Sequence, residues 1–201
     1  MHESYLTVFF DRMNRKFPND WCVLHSYETL PQFSESDVDM AFSGTSISAL
    51  EELISEVAKT TGWRVYQKLW YDVESCFYYV LKQNDTDVFL ALDFLIDNDG
   101  LGKYGFKTSV LTNLCLMTPE KFPIPNSEVA FSYKLIKRIV KKKSLADDKR
   151  YLMEQYGLSD SNKIDMFLTK QFGNPGNEMI RKFLTVERSS TQNRTIRTVK
   201  R

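Results

Sequence analysis

The stretch Val88-Phe89-Leu90-Ala91-Leu92-Asp93-Phe94-Leu95-Ile96 constrains this chain more than any other, because one carboxylate sits in the middle of an otherwise apolar run. Such a run is too short to span a bilayer and suits one buried strand. A charge there is costly unless something pairs with it, so the fold has to bring Asp93 a partner, and metal coordination is a natural one. A second pattern supplies candidates. Asp37-Val38-Asp39-Met40-Ala41-Phe42 alternates, so Asp37, Asp39 and Ala41 face one way and Val38, Met40 and Phe42 the other. Two carboxylates side by side on a strand repel each other unless a cation lies between them. Hard divalent ions, Mg²⁺ or Mn²⁺, suit such oxygen-only sites and keep places for water and substrate phosphates.

The remaining pattern predicts elements around these carboxylates. Leu6, Phe9, Phe10 and Met13 recur at helical spacing over Tyr5 to Phe17, and Pro18-Asn19-Asp20 breaks the helix. Trp21 to Leu24 reads as a short buried strand. Ser48-Ala49-Leu50-Glu51 has the form of a capping box for a helix presenting Leu50, Leu53, Ile54, Val57 and Ala58 and stopping near Gly62. Arg64 to Trp70, Cys76 to Leu81 and Asp87 to Ile96 are rich in Val, Tyr, Phe and Trp, and the polar breaks between them predict three consecutive antiparallel strands. The aromatics Trp63, Tyr66, Trp70, Phe77, Tyr78 and Tyr79 read as their packing faces. Asp97-Asn98-Asp99-Gly100 reads as a turn, since its glycine comes too early for a calcium-binding EF-hand loop.

Beyond it, glycines and prolines predict a connecting loop region over 101–126. Helices follow at about Ser127 to Lys143, Leu145 to Tyr156, Ser159 to Phe172 and Glu178 to Glu187, with Gly157 and Gly173-Asn174-Pro175-Gly176 as stops. The expected fold class is α+β: a small mixed twisted sheet with flanking helices over 1–100, then a helical C-terminal half over 127–187. A basic tail, 188–201, ends the chain.

Charge and cysteine usage narrow the function. With 27 basic and 26 acidic residues, bulk electrostatic capture of nucleic acid is not written into the chain. Cys22, Cys76 and Cys115 lack paired spacing, so they read as buried free thiols in a reducing compartment. No run is long enough to cross a membrane and the N-terminus lacks a signal-peptide pattern, so a cytoplasmic protein is expected. Lys134, Lys137, Arg138 and Lys141 share one helical face, opposite Leu135, Ile136, Ile139 and Val140. That face is either solvated or an anion-binding patch from which Lys134 and Lys137 reach phosphates.

Val23-Leu24-His25-Ser26, then Asp37 eleven positions after Ser26 with Asp39 next but one, then Asp93, resembles the polymerase-beta-like nucleotidyltransferase superfamily. In that superfamily an apolar strand ends in Gly-Ser, the next strand carries Asp-x-Asp, and a later strand carries a third Asp. Leu24 to Pro31 together with Ser36-Asp37-Val38-Asp39 looks closest to a nucleotidyltransferase-like family found with bacterial capsule and exopolysaccharide genes. Coverage is roughly residues 20–145, since the helix after Pro123-Ile124-Pro125 is similar to that family's helical half. The resemblance implies nucleotidyl transfer from a nucleoside triphosphate to a small acceptor, such as a sugar or polysaccharide precursor. It implies that Asp37, Asp39 and Asp93 hold Mg²⁺ or Mn²⁺ and that Asp93 serves as the base. His25, Ser26, Ser36, Lys134 and Lys137 would then lie about the nucleotide. His25 stands where the superfamily prefers Gly, which leaves open a degenerate nucleotide-binding or regulatory module. A nucleic-acid-directed transferase is the other alternative. The chain has no Gly-x-x-x-x-Gly-Lys loop, so a partner kinase-like domain or protein would lie elsewhere.

Overall fold

The computed structural model of the chain describes residues 2–32, 34, 36–70, 76–96 and 106–185. They fall into two compact units, one before and one after the boundary between Asn126 and Ser127. The first unit contains α1 (His2–Lys16), β1 (Trp21–Val23), β2 (Val38–Phe42), α2 (Ile47–Thr60), β3 (Trp63–Trp70), β4 (Cys76–Gln83) and β5 (Phe89–Leu95). It ends with α3 (Thr108–Asn113), β6 (Cys115–Met117) and β7 (Pro123–Pro125). The fold class is α+β. Five strands form one mixed sheet in the order β1-β2-β5-β4-β3, with β2 and β5 parallel and the other neighbours antiparallel.

Strand alternation gives this sheet two unlike faces. On β5, Leu90, Leu92 and Phe94 are buried, while Phe89, Ala91 and Asp93 are not. The buried parity packs with Leu6, Phe9, Phe10 and Met13 of α1 and Leu50, Ile54 and Val57 of α2 in one core. At its centre the Phe94 ring stacks on Phe77 at 5.2 Å and meets Phe9 edge-on at 6.5 Å. Each fully buried ring of this kind stabilises by about 1.5–3 kcal/mol. Burial of this face is what fixes the strand register, because a one-residue slip would turn it to solvent.

Several local expectations are corrected. The helix α2 is capped by Ser46, whose hydroxyl accepts from the Ala49 N–H at 3.2 Å. Ser46 has the extended backbone a cap needs, whereas Ser48 already lies inside the helix. Tyr66 is 59% exposed and does not pack in the core, because it has the opposite parity to Val65 on β3, and its ring meets the exposed Phe89 of β5 at 5.6 Å. Cys22 is buried as expected, Cys115 is only half-buried, and the side chain of Cys76 lies outside the described residues. Residues 106–126 are not a plain loop: α3 and the β6–β7 hairpin belong to the first unit, and Phe122 reaches Phe10 at 5.0 Å. A six-residue helix and three-residue strands are too short for periodicity to reveal. The predicted turn at 97–100 and the tail at 188–201 lie outside the described residues.

The second unit contains α4 (Ser127–Val140), a 3₁₀ turn (Ala146–Asp148), α5 (Lys149–Leu158) and α6 (Ser161–Thr185) around Phe131, Leu135, Leu152, Ile164, Leu168, Ile180 and Leu184. Helix α4 stops three residues before its predicted end because Lys142 turns left-handed at φ 52°. The Lys143 N–H then bonds the Arg138 carbonyl and the Lys142 N–H the Ile139 carbonyl, a Schellman closure. Gly157 does not stop α5, which runs on to Leu158. Gly173 does interrupt α6, with φ 68° inside the predicted Gly173-Asn174-Pro175-Gly176 break. Among the described residues no helix is long and apolar enough to cross a membrane.

Candidate active site on the carboxylate face of the sheet

The parallel pairing of β2 with β5 sets Asp39 directly opposite Asp93. The same row continues across the sheet, with Asp93 opposite Tyr78 on β4 and Tyr78 opposite Leu69 on β3. All four belong to the parity that faces away from the aromatic core. Asp37 lies one residue before the start of β2, close enough for its charge to act on Tyr78. All three carboxylates bear on the Tyr78 phenol. Its pKa is raised by partial burial first, then by the charges of Asp37, Asp93 and Asp39. A phenolate there would add a fourth negative charge, so Tyr78 stays protonated and able to donate.

The antiparallel pairing of β1 with β2 carries the next segment alongside Asp39. The Leu24 N–H donates to the Asp39 carbonyl at 2.9 Å, which aims His25 at the Asp39 side chain. His25 Nε2 lies 3.3 Å from Asp39 Oδ2, and both side chains are largely buried. His25 Nδ1 lies 3.3 Å from Ser26 Oγ. Protonated at Nε2, the imidazole donates to Asp39 while Nδ1 accepts from the Ser26 hydroxyl. Ser26 itself is exposed and left-handed, with φ 58°. A backbone of that kind costs a non-glycine residue about 1–3 kcal/mol. The conformational demand therefore falls on Ser26 rather than on His25. The Ser36 hydroxyl donates to the Asp37 carbonyl at 3.3 Å, and the Ser34 hydroxyl donates to the Ser36 carbonyl at 2.6 Å. Ser36 thus helps to shape the approach to Asp37.

Among the described residues no three His, Cys, Asp or Glu side chains gather closely enough to hold a metal ion as they stand. The backbone supplies an opposed pair, Asp39 and Asp93, with Asp37 beside it. This oxygen-only donor set fits a hard divalent cation in its chemistry, and the His25 contact orients one Asp39 oxygen.

Lys134 and Lys137 belong to the second unit. Lys134 Nζ lies 3.4 Å from Asp148 Oδ1, and Arg138 Nε binds the other oxygen of that carboxylate. Lys134 also sits over the Tyr151 ring and Lys137 over the Tyr133 ring, each at 5.6 Å. The basic face of α4 is thus partly internal to its unit. Asp148 and Tyr78 are the residues that sequence reasoning missed. Tyr78 has a signal, its opposite parity to Phe77 and Tyr79. Asp148 has none, because a turn of chain separates it from its partners.

No family model matches this chain, and no curated protein matches it. Among solved structures, the crystal structure of JHP933 from Helicobacter pylori is similar at 13% identity, over 98% of this chain and 85% of that one, with a TM-score of 0.48.

Proposed function

We propose that this chain is a metal-dependent nucleotidyltransferase-like enzyme that moves a nucleotidyl group from a nucleoside triphosphate to a small acceptor, a sugar or surface-polysaccharide precursor. The observation that carries this reading is the β2–β5 register that sets Asp39 opposite Asp93. Bound at these carboxylates, Mg²⁺ or Mn²⁺ supplies neutralisation of phosphate charge and lowers the pKa of an acceptor hydroxyl. The chain's own residues do the rest. Asp93 accepts the acceptor's proton, protonated Tyr78 donates a hydrogen bond beside it, and His25 orients Asp39. The exposed Ser26 hydroxyl donates to a phosphate oxygen. We place the activity in the cytoplasm, where nucleoside triphosphates are present and thiols are kept reduced.

A second reading, a nucleotide-binding module without turnover, is favoured by one observation: His25 already engages an Asp39 oxygen. Pyrophosphate release measured with each nucleoside triphosphate, with Mg²⁺ or Mn²⁺ and candidate acceptors, separates the two. The enzyme releases pyrophosphate, and Asp39→Asn abolishes the release. A module shows only a metal-dependent rise in melting temperature with nucleotide, lost in the same variant.

A further inference from the structure

Ninety-three positions separate Cys22 from Cys115, yet β1 and β6 bring both thiols to one carbonyl oxygen. Cys22 Sγ donates to the Leu111 carbonyl at 3.6 Å, and Cys115 Sγ donates to the same oxygen at 3.1 Å. Two sulfurs sharing one acceptor atom are neighbours, and the two differ in kind. Cys22 is fully buried in the sheet, while Cys115 is half-buried beside the exposed Leu114 and Leu116.

We propose that Cys115 and Cys22 form a hydroperoxide-sensitive pair in which Cys115 is the attacking thiol and Cys22 resolves it into a disulfide. The Cys115 thiolate sulfur attacks a peroxide oxygen; the O–O bond breaks, Cys115 becomes a sulfenic acid and hydroxide leaves as water. Cys22 sulfur then attacks the Cys115 sulfur; the S–S bond forms, the S–O bond breaks and the hydroxide leaves with the Cys22 proton. Two thiols lose two electrons and two protons, and one hydrogen peroxide becomes two waters. The electrostatics support these roles. Once Cys115 gives up its proton, the Cys22 S–H can turn from the Leu111 carbonyl to the Cys115 thiolate, which holds the Cys115 thiol below its ordinary range against the effect of burial. That hydrogen bond, burial and the nearby Cys115 charge push Cys22 well above its own. A low-pKa, reachable thiol beside a high-pKa, buried one is the arrangement of an attacking and a resolving cysteine. Cys22 pairs with Ala41, two residues beyond Asp39 on β2, so the disulfide would form beside the carboxylate strand without using its residues.

The test uses the full chain, reduced, freed of reductant and exposed to a few equivalents of hydrogen peroxide. Thiol titration and peptide mass mapping are expected to show two of the three thiols lost. They are also expected to show a cross-linked Cys22–Cys115 peptide lighter by two hydrogens and restored by dithiothreitol. In Cys22→Ser, a Cys115 sulfenic acid that dimedone traps should persist; in Cys115→Ser, oxidation of Cys22 should slow at least about tenfold. A cross-link through Cys76, reaction of Cys22 before Cys115, or Cys115 passing to sulfinic acid with no cross-link in the wild type would each overturn the proposal. The wild-type mapping stands whether or not either variant folds.

Discussion

On β5, Leu90, Leu92 and Phe94 are at most 1% exposed, whereas Phe89, one residue along, is 44% exposed and Asp93 lies among carboxylates. One strand thus serves two environments, and the difference shows what each parity is for. The covered parity supplies apolar area and is held by shape. The other parity sets Asp39 opposite Asp93, a grouping of like charges that on the enzyme reading belongs to a site rather than to a core. The comparison can be broken at single positions. The largest expected effect is Asp93→Asn, which on the enzyme reading lowers nucleotidyl transfer by about 10²–10⁴-fold, the range for losing a positioned base. Its unfolding should stay cooperative, because Asn keeps the size of the Asp side chain. Steady-state pyrophosphate release and a urea melt on the same sample check both halves.

The neighbouring residue should behave in the opposite way. Phe94 stacks on Phe77 and meets Phe9 and Tyr79 edge-on, so Phe94→Ala should destabilise by about 3–5 kcal/mol. Urea unfolding measures it. A loss as small as that of a surface substitution would mean that the covered face is not packed as described.

This contrast was legible in the sequence, since the alternation of residues 88–96 and the parity of Asp39 are local patterns. The antiparallel order of β3, β4 and β5 was legible for the same reason, because consecutive strands joined by short polar turns pair with each other. The parallel pairing of β2 with β5 was not, since α2 and the β3–β4 hairpin lie between them and no local pattern encodes which strand enters between which. The contact of His25 with Asp39 depends on a second non-local pairing, β1 with β2, and was hidden with it. The Cys22 and Cys115 thiols read as buried free thiols without paired spacing, because their meeting depends on the short β6, which has too few residues to show a period.

A pH dependence sharpens the comparison from the covered side. Burial first and the Glu51 carboxylate second push the Tyr79 phenol well above its ordinary value, and burial does the same for Tyr5. A phenol whose folded pKa is raised contributes its full stability below the unfolded value of about 10 and loses it as pH climbs toward the folded value. Stability should therefore fall above about pH 10, and Tyr79→Phe should fall less steeply. Urea midpoints on either side of that pH are the measurement. Equal slopes would mean that Tyr79 is reached by water.

The smallest effect belongs to Leu69, which ends the row Asp39, Asp93, Tyr78, Leu69 and is 44% exposed. Its side chain has the parity of the carboxylates and adds little buried area, so Leu69→Ser should change stability by no more than about 0.5 kcal/mol. A loss near that of Phe94→Ala would show that this face is core as well, and the two-sided account of the sheet would fail. A neutral melt with a raised KM for the acceptor and an unchanged kcat would make Leu69 part of the surface that receives it, because a lost contact made equally in ground and transition state has that effect.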